Sequence, residues 1–346
     1  MKDSRIQQPL LMKGLEGASL LLLILFFTSC QKVGVKPTPT VTTVVSGLNT
    51  PMGIETDPRG DIWVAETGTG NNDGKVMVVA RSHGVPQTFE VINNLSSIKN
   101  TLSGEVEGPA HLLFDNGMLY VLAGDYLYSV DLKNYKPGDD PINGATLPFE
   151  DIGTWVRAQN IVAPNDSHPY NLIKGPDGKL YIADAGANAI IRRNAKDDYT
   201  VLATFPNIPN PTQVGPPFIQ SVPTGIVWDG NNFLVSTLTG FPFLEGQAVV
   251  YKVSLQGNVS VYINGLSTLV DIAPATFYGY PVLSYGTFGP TGFMPNTGSL
   301  SLVTPSNKMK IVDGLNMPVG IKQIDNHSWY VSSMGDGTIL KVTYSY

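Results

Sequence analysis

The chain of 346 residues has one cysteine, Cys30, and only 14% of its residues carry charge. A solitary thiol excludes an internal disulfide, a Cys-x-x-Cys redox pair and a cysteine-ligated zinc site. Past residue 30 there is no cluster of Lys and Arg, and 22 basic against 28 acidic residues leave a net charge of −6, so nucleic acid is not an expected partner. No later apolar run is long enough to span a bilayer as a helix, and none sustains a long 3.6-residue period, so helices should be few. The sequence also lacks a nucleophile-elbow serine and the HExxH signature. GTGNNDGKV (68–76) imitates a phosphate loop. It has one residue too many between its outer glycines, Val76 where a hydroxyl is needed, and strands on both sides instead of a following helix.

What the chain does have is glycine and proline, 36 and 26 residues, and a phrase repeated six times. The phrase is a small or polar residue, an aliphatic pair, a Gly-containing turn and an aromatic-rich strand. It reads PMGIETDPRGDIWVAE from Pro51, GPAHLLFDNGMLYVLA from Gly108, HPYNLIKGPDGKLYIAD from His168, VPTGIVWDGNNFLVST from Val222, a degraded TLVDIAPATFYGYPVLSY from Thr268, and MPVGIKQIDNHSWYVSS from Met317. The copies recur about every 50 residues, and each reads as two strands around a tight turn, followed by a third such as YLYSVDL. A fourth strand precedes the next copy in VSVYINGL (259–266) and KMKIVDGL (308–315). The last copy ends at TILKVTYSY without one, while TVVSGL (43–48) lies spare before the first. Pairing residues 41–48 beside 339–344 closes a ring with no exposed edge. The expected fold is therefore all-β, a six-bladed propeller sealed by its N-terminal strand. Two stretches depart from the repeat, 82–107 and 133–164. The second contains FEDIGTWVRAQN, a short helix with Asp151 near its start, expected as a loop on one face.

The N-terminus carries Lys2, Arg5 and Lys13 and then an apolar run from Leu20 to Phe27, the pattern of a secretory signal. Phe27-Thr28-Ser29-Cys30 resembles the lipobox of bacterial lipoproteins, in which the cysteine becomes a lipidated new N-terminus. The expected organisation is a signal peptide at 1–29, a Pro-bearing tether at 30–40 and the propeller at 41–346. The location that follows is the bacterial cell envelope, periplasmic or cell-surface, with the membrane engaged only through lipid on Cys30.

Aligned copies place Gly53, His111, Asn171, Gly225, Asp271 and Gly320 just before the innermost-strand aliphatic. Innermost strands line a propeller's channel, so three glycines and the trio His111, Asn171 and Asp271 should face one another there. An imidazole, an amide oxygen and a carboxylate can hold a divalent ion such as Ca²⁺ or orient a water; they can equally solvate a wet tunnel. A slip of one residue turns all of them away. Glu66, Asp184, Thr237 and Ser333 end the second strands of their copies and should gather nearer one rim. Asp184 with Asn188 reads more simply as a turn-stabilising pair. His83 and His327 fall in turns, and Trp63, Trp228, Trp329 and Tyr181 read as packing between blades. GFPF (240–243) can present aromatics to a ligand, although a rigid turn explains Pro242 equally well.

HPYNLIKGPDGKLYIADAGANAI, VPTGIVWDG followed by LTGFPFLEGQAVVYKV (238–253), and MPVGIKQI resemble the ScyD/ScyE family of propellers, and more distantly NHL-repeat proteins. The likeness runs from about residue 42 to the C-terminus and is weakest at PATFYGYP (274–281). It implies the fold and no particular chemistry. Two functions follow: a monomeric, lipid-anchored binding or scaffolding module for a protein, glycan or small molecule that needs no cofactor, and, as the alternative, a hydrolase of lactonase type or a lyase using the channel trio with Ca²⁺. The binding reading stands first because no acid, base and nucleophile set recurs in the repeats.

Overall fold

A computed structural model describes residues 38–82, 85–100 and 104–344, and the compact unit that contains them runs from Pro37 to Tyr346. The signal, Cys30, most of the tether and His83 lie outside the described residues. Six antiparallel sheets follow one another along the chain, and each starts at the strand predicted to be innermost: Pro51–Thr56, Pro109–Asp115, Pro169–Lys174, Pro223–Trp228, Leu269–Ile272 and Pro318–Asp325. Each inner strand packs against the inner strands of the sheets before and after it, the last against the first. The fold is thus a closed six-bladed β-propeller.

Closure works as the strand count required. Thr40–Ser46 pairs antiparallel with Thr338–Thr343, Val41 opposite Val342 and Val45 opposite Ile339, which completes the sixth blade. Val44 and Val45 pack with Ile54, Val64 and Ile339, so the same strand joins the first blade's core to the last. The degraded fifth copy still makes a blade of four strands. PATFYGYP forms its first turn, with Thr276 bridged to Gly279.

Between blades the core is aromatic and aliphatic. Trp63 stacks 5.4 Å from Phe114 of the second blade, Tyr181 lies 4.3 Å from Phe233 of the fourth, and Trp329 is fully buried in the cluster joining blades five and six. One polar staple joins blades two and three. Glu150, on Phe149–Asp151, accepts hydrogen bonds from Arg193 Nε and Nη2, Tyr199 Oη and the Asp197 N–H. Burial pushes the Glu150 carboxyl up, but these four donors outweigh it and hold the group below its usual range.

The 133–164 segment is more than a loop on one face. Its first part leaves the bottom of blade two, where Ile142–Asn143 adds a fifth, parallel strand to the outer edge of Val85–Leu95 in blade one. It then returns as Phe149–Asp151, the fourth strand of blade two. Only then comes the helix α1, Ile152–Ala158, capped by Asp151 Oδ1 accepting the Thr154 N–H at 2.9 Å. An exposed edge is covered and a missing strand supplied by one excursion.

The two faces of the ring are unequal. Pro51 pairs with Glu66, Pro109 with Ala123, Pro169 with Asp184, Pro223 with Thr237 and Pro318 with Ser333, so inner strands begin where second strands end. Proline suits the first residue of a strand because no ladder N–H is lost there. Most of the long connections, such as 205–222 and 238–247, lie at that end; the opposite end has tight turns, such as the one where Asp57 Oδ1 receives the Asp61 N–H, apart from the 132–148 excursion of blade two.

Candidate functional site at the channel mouth

All six inner strands carry a bulge just after their first residue. A bulge re-aims side chains, and it is this irregularity that sets the direction of His111, Asn171 and Asp271. Asn171 and Asp271 do meet: Asn171 Nδ2 donates to Asp271 Oδ1 at 3.0 Å, spanning the intervening fourth blade. That reach is open because the fourth blade contributes Gly225, where a Cβ would come within 2.5 Å of Ile272 N and 2.7 Å of Ser236 Oγ. Gly53 plays the same part for the histidine, since a Cβ there would lie 2.6 Å from His111 Nδ1. The glycines in the blades preceding His111 and Asp271 are therefore steric: a Cβ on either would collide with the following blade.

Asp271 ties three blades. Its Oδ1 also accepts the Ile272 N–H at 2.9 Å and its Oδ2 accepts the Ile321 N–H of blade six at 2.9 Å. Burial nevertheless dominates and raises its pKa to about 7, against the lowering pull of Ile321, Ile272, Asn171 and Lys322. His111 is buried with Nε2 unpartnered, and desolvation lowers its pKa to about 3, so the imidazole is neutral. Above it stands Tyr170, a half-buried ring 5.3 Å from His111 and 6.2 Å from His168. Burial, then the charge of Asp271, then Tyr285 push the Tyr170 phenol well above its ordinary pKa. Sequence reasoning missed Tyr170. Simple alternation assigns it to the face opposite Asn171, and only the bulge brings it into the mouth.

The trio does not fit a cation. Asn171 Oδ1 accepts the Leu172 N–H at 2.8 Å, and both Asp271 oxygens accept backbone N–H groups, which leaves the neutral His111 Nε2 as the uncommitted donor atom. Oxygen ligands of Ca²⁺ need lone pairs turned toward the ion, several at once. Among the described residues, no three His, Cys, Asp or Glu side chains gather as a metal-binding group.

The rim residues end their second strands, as expected, and each is spent on its own loop. Glu66 Oε1 accepts the Asn49 N–H at 2.8 Å, and burial raises its pKa. Asp184 accepts from Ser167 Oγ, the His168 N–H and the Ala187 N–H, while Asn188 donates to Phe205 O, so this pair is a structural brace. Thr237 Oγ1 exchanges two hydrogen bonds of 2.9 Å with the Val249 backbone, and Ser333 Oγ donates to Asn316 O and Asp336 Oδ2. The 68–76 loop is a hairpin connection, tied by Asp73 to Thr69. His327 lies in a turn beside the Phe277 and Tyr278 rings.

No family model matches the sequence, and no curated protein matches it. Solved structures do match the fold. The PQQ-bound aldose sugar dehydrogenase of Streptomyces coelicolor aligns over 89% of this chain and 99% of its own, with a TM-score of 0.57 and 13% identity. Virginiamycin B lyase from Staphylococcus aureus aligns over the same shares with a TM-score of 0.53 and 13% identity. A protein whose assignment as a gluconolactonase is provisional aligns over 89% of this chain and 92% of its own, with a TM-score of 0.52 and 10% identity. These neighbours share the six-bladed propeller architecture described above. Identities this low carry the architecture alone.

Proposed function

We propose that this chain is an envelope-located propeller enzyme of the hydrolase or lyase class, acting on a small molecule at the channel mouth. The observation that supports it is the mouth group: a buried Asp271 carboxyl that titrates near 7, a neutral His111 with an unpartnered Nε2, and the raised Tyr170 phenol against it. Strongly perturbed groups converging in a channel mark functional sites, and a carboxyl near 7 exchanges a proton at little cost at neutral pH. Asp271 is assigned the proton-exchanging role. His111 Nε2 and the Tyr170 hydroxyl are assigned to hold and polarise the substrate. The similarly folded lyase and the provisional gluconolactonase indicate which reaction classes to assay first.

This order reverses the one drawn from the sequence, where the binding module stood ahead. A separate observation keeps the binding reading: most of the long connections, α1 among them, lie on one face, where a recognition surface can form. Kinship with the ScyD/ScyE family and lipid attachment at Cys30 belong to either reading.

The test is a panel of chromogenic esters and lactones given to the purified protein across pH. Turnover should show an inflection near 7, lost in Asp271→Asn, and should fall about 100-fold in Tyr170→Phe and His111→Phe. Absence of turnover across the panel, or equal turnover in all three variants, leaves the binding reading in its place.

A further inference from the structure

A second site stands apart from the channel. On the long-loop face, between blades three and four, lies a cleft of about 730 Å³. Its walls come from five separated pieces of sequence: the segment after α1 (161–164), the turn at Ala187 and Asn188, the stretch 204–207, the 216–220 arm of the hairpin that pairs Ile208–Pro209 with Phe218–Ile219, and the turn at Gly240 and Phe241. Two of these walls, the hairpin and the Gly240 turn, are fixed to one another. The Thr239 N–H donates to Ser221 O and the Gly240 N–H to Gln220 O, both at 2.9 Å. The hairpin is braced from within by Asn210, whose Nδ2 donates to Val214 O and Pro216 O at 2.8 Å.

The lining contains no Asp, Glu, Lys, Arg or His. Phe218 and Phe241 both line the cleft and are 59% and 47% exposed, so two large apolar rings face it uncovered. Phe241 also begins a continuous aromatic wall. It stands 5.9 Å from Phe288, which is 5.1 Å from Phe293, which is 4.6 Å from Tyr285 beside the channel mouth. The side-chain amides of Gln220 and Asn207 also line the cleft and make no hydrogen bond within the described residues.

We propose that this cleft binds an uncharged, ring-bearing organic molecule, packed against Phe218 and Phe241 and hydrogen-bonded by Gln220 and Asn207. Charge is disfavoured by the lining, which offers an ion no partner of opposite sign. Size follows from the volume, which lies in the range that encloses a drug-sized ligand. The two exposed rings provide the apolar contact, and the free amides provide orientation.

The probe is phenylnaphthylamine, uncharged and fluorescent in apolar surroundings, titrated onto the purified protein, with anilinonaphthalene sulfonate as its anionic counterpart. Saturable one-site binding is expected, weakened about tenfold by Phe241→Ala and by Phe218→Ala and unchanged by Phe277→Ala, which removes a still more exposed ring on the opposite face. Gln220→Glu, checked for an unaltered melting temperature, should weaken it to the same extent by placing a charge in the lining. Absence of saturable binding, an equal loss in Phe277→Ala, or sulfonate binding as tight as that of the neutral probe overturns the proposal. Dye binding and ester turnover are read separately, so failure at the channel leaves this site standing, and the reverse.

Discussion

At the residue scale, the channel holds two groups whose titrations oppose each other. An unfolded aspartate protonates near 4, whereas Asp271 does so at about 7, so between those values the folded state binds more protons and stability falls as pH rises. His111 runs the other way. Its folded pKa of about 3 lies below the ordinary 6.5, so stability falls as pH drops through that window. The charges facing Asp271 are few: Lys322, itself paired with Glu55, and the Tyr170 phenol, which is neutral throughout this range. Calorimetry of His111→Phe should therefore show a melting temperature that declines from pH 4.5 to 7 more steeply than in the parent. Asp271→Asn should show the opposite tilt, each by an amount corresponding to a few kcal/mol. Parallel curves for parent and variants would contradict the burial of both groups.

At the scale of elements, the six inner and second strands were legible because most copies have aliphatic pairs, a glycine turn and a period of two within one short phrase, the sixth replacing the glycine with Asp325-Asn326. Closure was legible for the same reason, as a count of strands. The fifth strand Ile142–Asn143 and the three-residue Phe149–Asp151 were not, because strands this short show no alternation and owe their existence to an edge that only the folded ring presents. Removal of residues through Ser46 should re-expose the Thr338–Thr343 edge and uncover Ile54, Val64 and Ile339. The expected cost is about 4 kcal/mol or more, read as a lower denaturant midpoint, together with association through the open edge. An unchanged midpoint would show that the ring does not depend on this strand.

At the scale of the whole molecule, function is divided among pieces that only the ring brings together. His111, Asn171 and Asp271 could be named from the alignment of copies, yet their bonding depends on a bulge repeated in all six blades and on glycines two of which lie in neighbouring blades. The cleft was beyond sequence reading altogether. Its walls are separated by up to 80 positions and share no pattern except the absence of charge. The proposed envelope location is a property of the same scale, and it rests on the N-terminal apolar segment and on lipid attachment at Cys30. The propeller is complete from Thr40 onward, with its closing strand paired, so nothing in its packing requires the cysteine. Cys30→Ala should therefore leave the melting temperature unchanged while abolishing incorporation of labelled palmitate and releasing the protein from the membrane fraction. A single acyl chain holds a protein only marginally, so firm retention of the parent would also point to more than one chain on the modified terminus. Equal labelling of parent and variant would remove the lipid anchor from the proposal and leave both sites as they are.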